Sequence, residues 1–204
     1  GNTESAIRMG TSQNQPLQGV PLIDSPLFKA HRSEGLFGNH QSTADQLHHL
    51  GYAVVDLGRA RMRALADRIQ ADLGAEFDLE AWREAGGLES LRVQDAWEQS
   101  EAVRELALLP EIAAILQACW GRKPFAFQTL NFPVGTQQHL HSDAVHFQSE
   151  PPGFMCGVWV ALEDIYPDAG PLEYVPGSQR MPYLQAADVG IQQQPGVTRD
   201  QTIF

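Results

Sequence analysis

The chain of 204 residues carries 25 Asp and Glu against 14 Lys and Arg, a formal net charge of -11, and so lacks the basic face of a nucleic-acid binder. Hydrophobic residues at 43% and charged residues at 19% fit one globular domain with a sizeable core, or a domain plus a tail. No apolar run approaches the ~18 residues of a membrane span and no basic-then-apolar signal pattern opens the sequence; two cysteines, Cys119 and Cys156, are too few for a disulfide framework, so a reducing, cytoplasmic setting is expected.

Residues 1–36 are mixed in composition, with Pro16, Pro21 and Pro26 spread through them. They read as a tail or arm packed on a core, and residues 37–204 as the domain. Ser42 is the expected cap of a first helix that stops at Gly51. His40, His48 and His49 lie in or near it and read as surface residues. Tyr52–Leu57 is β-rich and brief, so a strand is expected. Met62, Leu65, Ala66, Ile69 and Leu73 then recur at steps of three and four, which predicts a helix over 59–73 closed by Gly74. Residues 78–96 give no clear pattern. Ser100 caps a predicted helix over 101–108, and Pro110 opens another that runs to Trp120 and ends at Gly121.

Beyond Gly121 the texture changes. Residues 125–132, 138–143, 155–162 and 172–175 are strand candidates, with Pro and Gly in the gaps between them. Helices first and short antiparallel strands after predict an α+β domain.

Residues 137–147, QQHLHSDAVHF, place three histidines and an aspartate within eight positions. On a strand, His139, His141 and Asp143 face one way, because side chains alternate. A His-x-Asp pair offers one imidazole nitrogen and one carboxylate oxygen to a common point, and two histidines with one carboxylate mark the non-haem iron oxygenases. His139-x-His141, with His146 as a third ligand, is the alternative set and would suit a cupin-type metal protein. Histidines near strand ends are also commonly half-exposed polar residues, and His139 and His146 read that way too.

The run His141-Ser-Asp143, then Gly157-Val-Trp-Val-Ala-Leu-Glu-Asp164, then Gly170-Pro-Leu-Glu-Tyr-Val-Pro-Gly-Ser-Gln-Arg180, resembles the phytanoyl-CoA dioxygenase family. Gly51-Tyr-Ala-Val-Val-Asp56 resembles the opening of the same family. The resemblance covers about residues 42 to 183. It implies N-terminal helices packed on a double-stranded β-helix, a jelly-roll or cupin-like barrel, holding Fe(II) and 2-oxoglutarate. By motif position, His141 and Asp143 would be the first two iron ligands, and Gln128 and Trp159 would line the 2-oxoglutarate pocket. A core aromatic is the other reading of Trp159, and an ordinary strand polar residue that of Gln128. Gln179 stands where the family usually has His.

The implied activity is hydroxylation of a small organic substrate, with 2-oxoglutarate decarboxylated to succinate. The resemblance also implies a distal His and a 2-oxoglutarate-gripping Arg further on. No histidine follows His146, and residues 184–204 look like a loop leaving the barrel. The barrel is therefore expected to be incomplete in this chain, with the natural sequence continuing past Phe204. A second copy completing the sheet, and a ligand-binding domain with a degenerate site, are the competing expectations.

Overall fold

Where apolar residues recur at helical spacing between a starter and a glycine, a helix forms. The computed structural model describes residues 14–88, 90–136, 138–145, 147 and 149–182. Six α-helices are described: α1 (Phe28–Ser33), α2 (Gln41–Leu50), α3 (Arg59–Leu73), α4 (Leu79–Glu84), α5 (Glu101–Ala107) and α6 (Pro110–Trp120). Helix α3 has the predicted bounds and buries Leu65, Ala66, Ile69 and Leu73, four of the five residues of the predicted stripe. Helix α6 starts on Pro110 and ends at Gly121 in the left-handed region. At α5, the Ser100 hydroxyl accepts the N–H of Val103 at 3.1 Å, as the sequence predicts.

The start of α2 differs from expectation. A short 3-10 turn, Gly38–His40, runs straight into the helix at Gln41, so Ser42 sits inside it and caps nothing. The preceding turn already supplies helical backbone there. Its end is as predicted, with Gly51 at φ 84° and ψ -2°. His48 is not a surface residue. Its ring stacks on Phe28 with centroids 3.8 Å apart, and its Nδ1 lies 2.6 Å from the carbonyl of Ile23.

The described helices and turns feed two apolar clusters. One joins Leu22, Ile23 and Phe28 of the N-terminal arm to Phe37, Ala44 of α2 and Cys119 of α6. The other joins Leu65, Ile69 and Leu73 of α3 to Ala96, Ala102 and Val103. Each fully buried aliphatic side chain stabilises by about 1.5–3 kcal/mol, so the arm is held by its own apolar residues and not by the surface pair Asn14–Glu34.

The β-structure is much smaller than the sequence predicts. Among the described residues the sheet has two strands, β1 (Val93–Gln94) and β2 (Leu130–Asn131), antiparallel with Val93 opposite Asn131. Only the end of the 125–132 candidate forms a ladder, and its partner comes from the stretch that gave no sequence pattern. Residues 52–57, 138–143, 155–162 and 172–175 form no ladder among the described residues, and no barrel is seen. Alternation tells which way a side chain would face. It does not supply the neighbouring chain whose N–H and C=O groups make a strand. The fold shown is therefore mixed, helical with a two-stranded sheet. The expected loop over 184–204 lies outside the described residues.

Candidate metal centre

The chain reaches the site through β2 and the turn after it. Residues 138–142 form neither helix nor ladder, and the backbone then closes into a 3-10 turn, Asp143–Val145. The N–H of Phe147 donates to the carbonyl of Asp143 at 2.8 Å and locks that turn. Strand alternation is thus not what brings the predicted ligands together. The turn does it, and His141 Nε2 lies 3.4 Å from Asp143 Oδ1.

A second contact sets the chemistry of that pair. His141 Nδ1 lies 2.7 Å from the backbone carbonyl of His139. A carbonyl only accepts, so Nδ1 carries the proton and, in the neutral ring, Nε2 presents its lone pair. That lone pair faces a carboxylate oxygen. Two such groups repel unless a proton or a cation stands between them. Metal-binding histidines characteristically donate their other N–H to a carbonyl or carboxylate. Atoms 3.4 Å apart can share one first-row metal at roughly 2.0–2.2 Å from each. The pair therefore fits a metal. The ring is sheltered, 19% exposed, while the Asp143 side chain is 71% exposed.

His139 contributes its carbonyl to this arrangement. His146 lies outside the described residues. Among the described residues, no third His, Cys, Asp or Glu joins the pair to make a larger metal-ligating cluster.

Gln128 and Trp159 border the same open cavity as His141 and Asp143, a space of about 3820 Å³. Small-ligand pockets run to about 300–1,000 Å³, so this is an open interior and not a fitted site. Trp159 is 49% exposed there, which is no core aromatic, and Gln128 is half-buried. The Trp159–Asp164 run is anchored at its far end. Leu162 packs on the α3 cluster, and the Asp164 carboxylate accepts from Arg59 at 2.6 Å.

The Gly170–Arg180 run docks on α2. Gln179 Nε2 and Arg180 Nη2 both donate to the carbonyl of His48, at 3.1 and 2.8 Å, and the N–H of Gly177 donates to that of Leu50 at 2.8 Å. These contacts satisfy carbonyls that a helix end leaves open. Gln179 thus serves the helix cap.

The family model for phytanoyl-CoA dioxygenase matches residues 51–200, from the glycine that ends α2 through all three motif runs. The chain belongs to the phytanoyl-CoA dioxygenase family. Members of the phytanoyl-CoA dioxygenase family generally use Fe(II) and 2-oxoglutarate. No curated protein and no solved structure gave a significant match. No described helix is long and apolar enough to cross a membrane.

Two features of the site were not legible in the sequence. One is the His139 carbonyl as partner of Nδ1, which depends on the local backbone path. The other is Gly157, whose missing side chain faces Asp143 Oδ2.

Proposed function

We propose that this protein is an Fe(II)- and 2-oxoglutarate-dependent oxygenase that hydroxylates a small organic substrate. The observation that carries this reading is the His141–Asp143 pair, its Nε2 and Oδ1 3.4 Å apart and its Nδ1 held by a carbonyl. In this reading His141 Nε2 and Asp143 Oδ1 hold the metal. Bound Fe(II) would supply the chemistry by which O2 is the oxidant: one oxygen atom would go to the substrate as its hydroxyl and the other to succinate, with 2-oxoglutarate leaving as succinate and CO2.

The chain's own residues have simpler tasks. The His139 carbonyl favours the ring proton on Nδ1, so that the neutral ring presents its Nε2 lone pair toward Asp143. Asp143 offsets one of the two positive charges of the metal. Gln128 and Trp159 border the cavity on which the pair opens and are assigned to the 2-oxoglutarate pocket, where an amide and an indole N–H can both donate to carboxylate oxygens. The double-stranded β-helix belongs to the same proposal. Family membership supports it.

The pairing of His141 with Asp143 is favoured because Asp143 Oδ1 lies 3.4 Å from His141 Nε2, the ring nitrogen whose lone pair the His139 carbonyl leaves available. The test is conversion of 2-oxoglutarate to succinate by the purified protein with Fe(II) and ascorbate. Turnover that disappears in His141→Ala and Asp143→Ala supports the reading. Succinate formed equally by both variants contradicts it.

A further inference from the structure

Asp143 shows two different faces. Its Oδ1 points to His141 Nε2. Its Oδ2 points to Gly157, where a Cβ would lie 3.7 Å from Oδ2 and, among the described residues, within 4 Å of no other atom outside the immediate chain neighbours. Among the described residues, no hydrogen bond to Oδ2 is seen, and the side chain is 71% exposed, so the carboxylate is free to take more than one orientation. The backbone does not account for a glycine here, because Gly157 has no positive φ. Sterics do not exclude a methyl either, since 3.7 Å is ordinary van der Waals contact.

We propose that Gly157 is a positioning residue for Asp143: the small residue at this place leaves the carboxylate room to lie with Oδ1 toward His141. The proposal rests on the metal reading of the previous section. A branched side chain at 157 adds methyl groups about one bond beyond Cβ, inside the contact distance of Oδ2. A methyl turned toward Oδ2 swings the carboxylate, and Oδ1 then leaves the point it shares with Nε2. A shift of about 1 Å is enough to break a chelate whose two bonds are each roughly 2.0–2.2 Å long. A serine does the reverse. Its hydroxyl reaches Oδ2 and supplies the outer hydrogen bond that metal-binding carboxylates usually have.

The experiment is titration with Mn(II), a redox-inert stand-in for Fe(II), followed by the loss of the free-ion EPR signal, with a thermal melt of each variant. Gly157→Ala is expected to bind within about twofold of the parent. Gly157→Val is expected to bind at least about tenfold more weakly with its melting temperature little changed. Gly157→Ser is expected to bind at least as tightly as the parent. Parent-like binding by folded Gly157→Val overturns the proposal. If that variant does not fold, the comparison of Ser with Ala decides, and binding by Ser weaker than by Ala overturns it. Asp143→Ala separates the two levels. If it leaves Mn(II) binding intact, the metal reading itself falls; if it abolishes binding while Gly157→Val does not, only the role of Gly157 falls.

Discussion

Replacing Gly51 by alanine tests how the Gly170–Arg180 run is held on α2. Gly51 has φ 84° and ψ -2°, and an added Cβ would lie 2.6 Å from the Tyr174 hydroxyl and 2.7 Å from Gln179 Cδ, with Gln179 Oε1 closer still. Gly177 has nearly the same backbone, φ 85° and ψ -4°, but nothing within 4 Å of an added Cβ. Alanine at either place pays for the left-handed conformation, about 1–2 kcal/mol. Only at Gly51 must it also push the ends of the Gln179 and Tyr174 side chains aside, which displaces the Gln179 amide from the His48 carbonyl it reaches at 3.1 Å. A hydrogen bond of that kind contributes about 0.5–1.5 kcal/mol, and lost packing adds to it.

The predicted excess for Gly51→Ala over Gly177→Ala is thus about 1–2 kcal/mol. At about 2–4 °C per kcal/mol for a chain of this size, the melting temperature falls by roughly 2–8 °C more. Circular dichroism melts of the two variants read this directly. In a Gly51→Ala, Gln179→Ala double variant the Cβ has more room, so the two losses should add to less than their sum. Equal melting temperatures for Gly51→Ala and Gly177→Ala would refute the steric part of the reasoning.

Ser100→Ala removes the α5 cap and the hydroxyl that donates to Asp72; it should cost about 1–2 kcal/mol in urea unfolding, and Ser100→Thr should recover most of that. Burial in the first apolar cluster pushes the Cys119 thiol up to about 11. That thiol therefore stays protonated at neutral pH. At pH 8 alkylation of Cys119 in the folded protein should be at least on the order of a hundredfold slower than that of an ordinary thiol, and denaturant should restore the ordinary rate. The Arg32 guanidinium hydrogen-bonded to Asp45 holds that carboxyl below its usual 3.8. A lowered folded value means that the stabilisation is present above the usual value and is lost as pH falls through the lowered one. Asp45→Ala should therefore reduce the melting temperature slightly at neutral pH, and the difference from the parent should shrink on acidification.

What the sequence made legible follows from the range of each interaction. Helices α3, α5 and α6 were readable because stripe, cap and terminator all lie within one short segment. The cap of α4 was readable in principle, since Asp78 accepts the N–H of Ala81 at 2.9 Å, but Gly86 and Gly87 obscured so short a helix. Strand pairing was not readable. β1 and β2 are more than thirty residues apart, and nothing in Val93–Gln94 names Leu130–Asn131 as its partner. The site was legible as residue types. His141 and Asp143 do meet, though through a 3-10 turn and not along a strand. The docking of Gln179 and Arg180 on the His48 carbonyl spans more than 130 positions and left no local signal.

The most direct measurement is the Mn(II) affinity of the intact protein beside Asp143→Ala, His141→Ala and His139→Ala. The account predicts that Asp143→Ala and His141→Ala each weaken binding by at least about tenfold. His139→Ala keeps the carbonyl that holds Nδ1 and should stay near the parent. Loss of binding in His139→Ala with retention in Asp143→Ala would contradict the account and point to the two-histidine site instead.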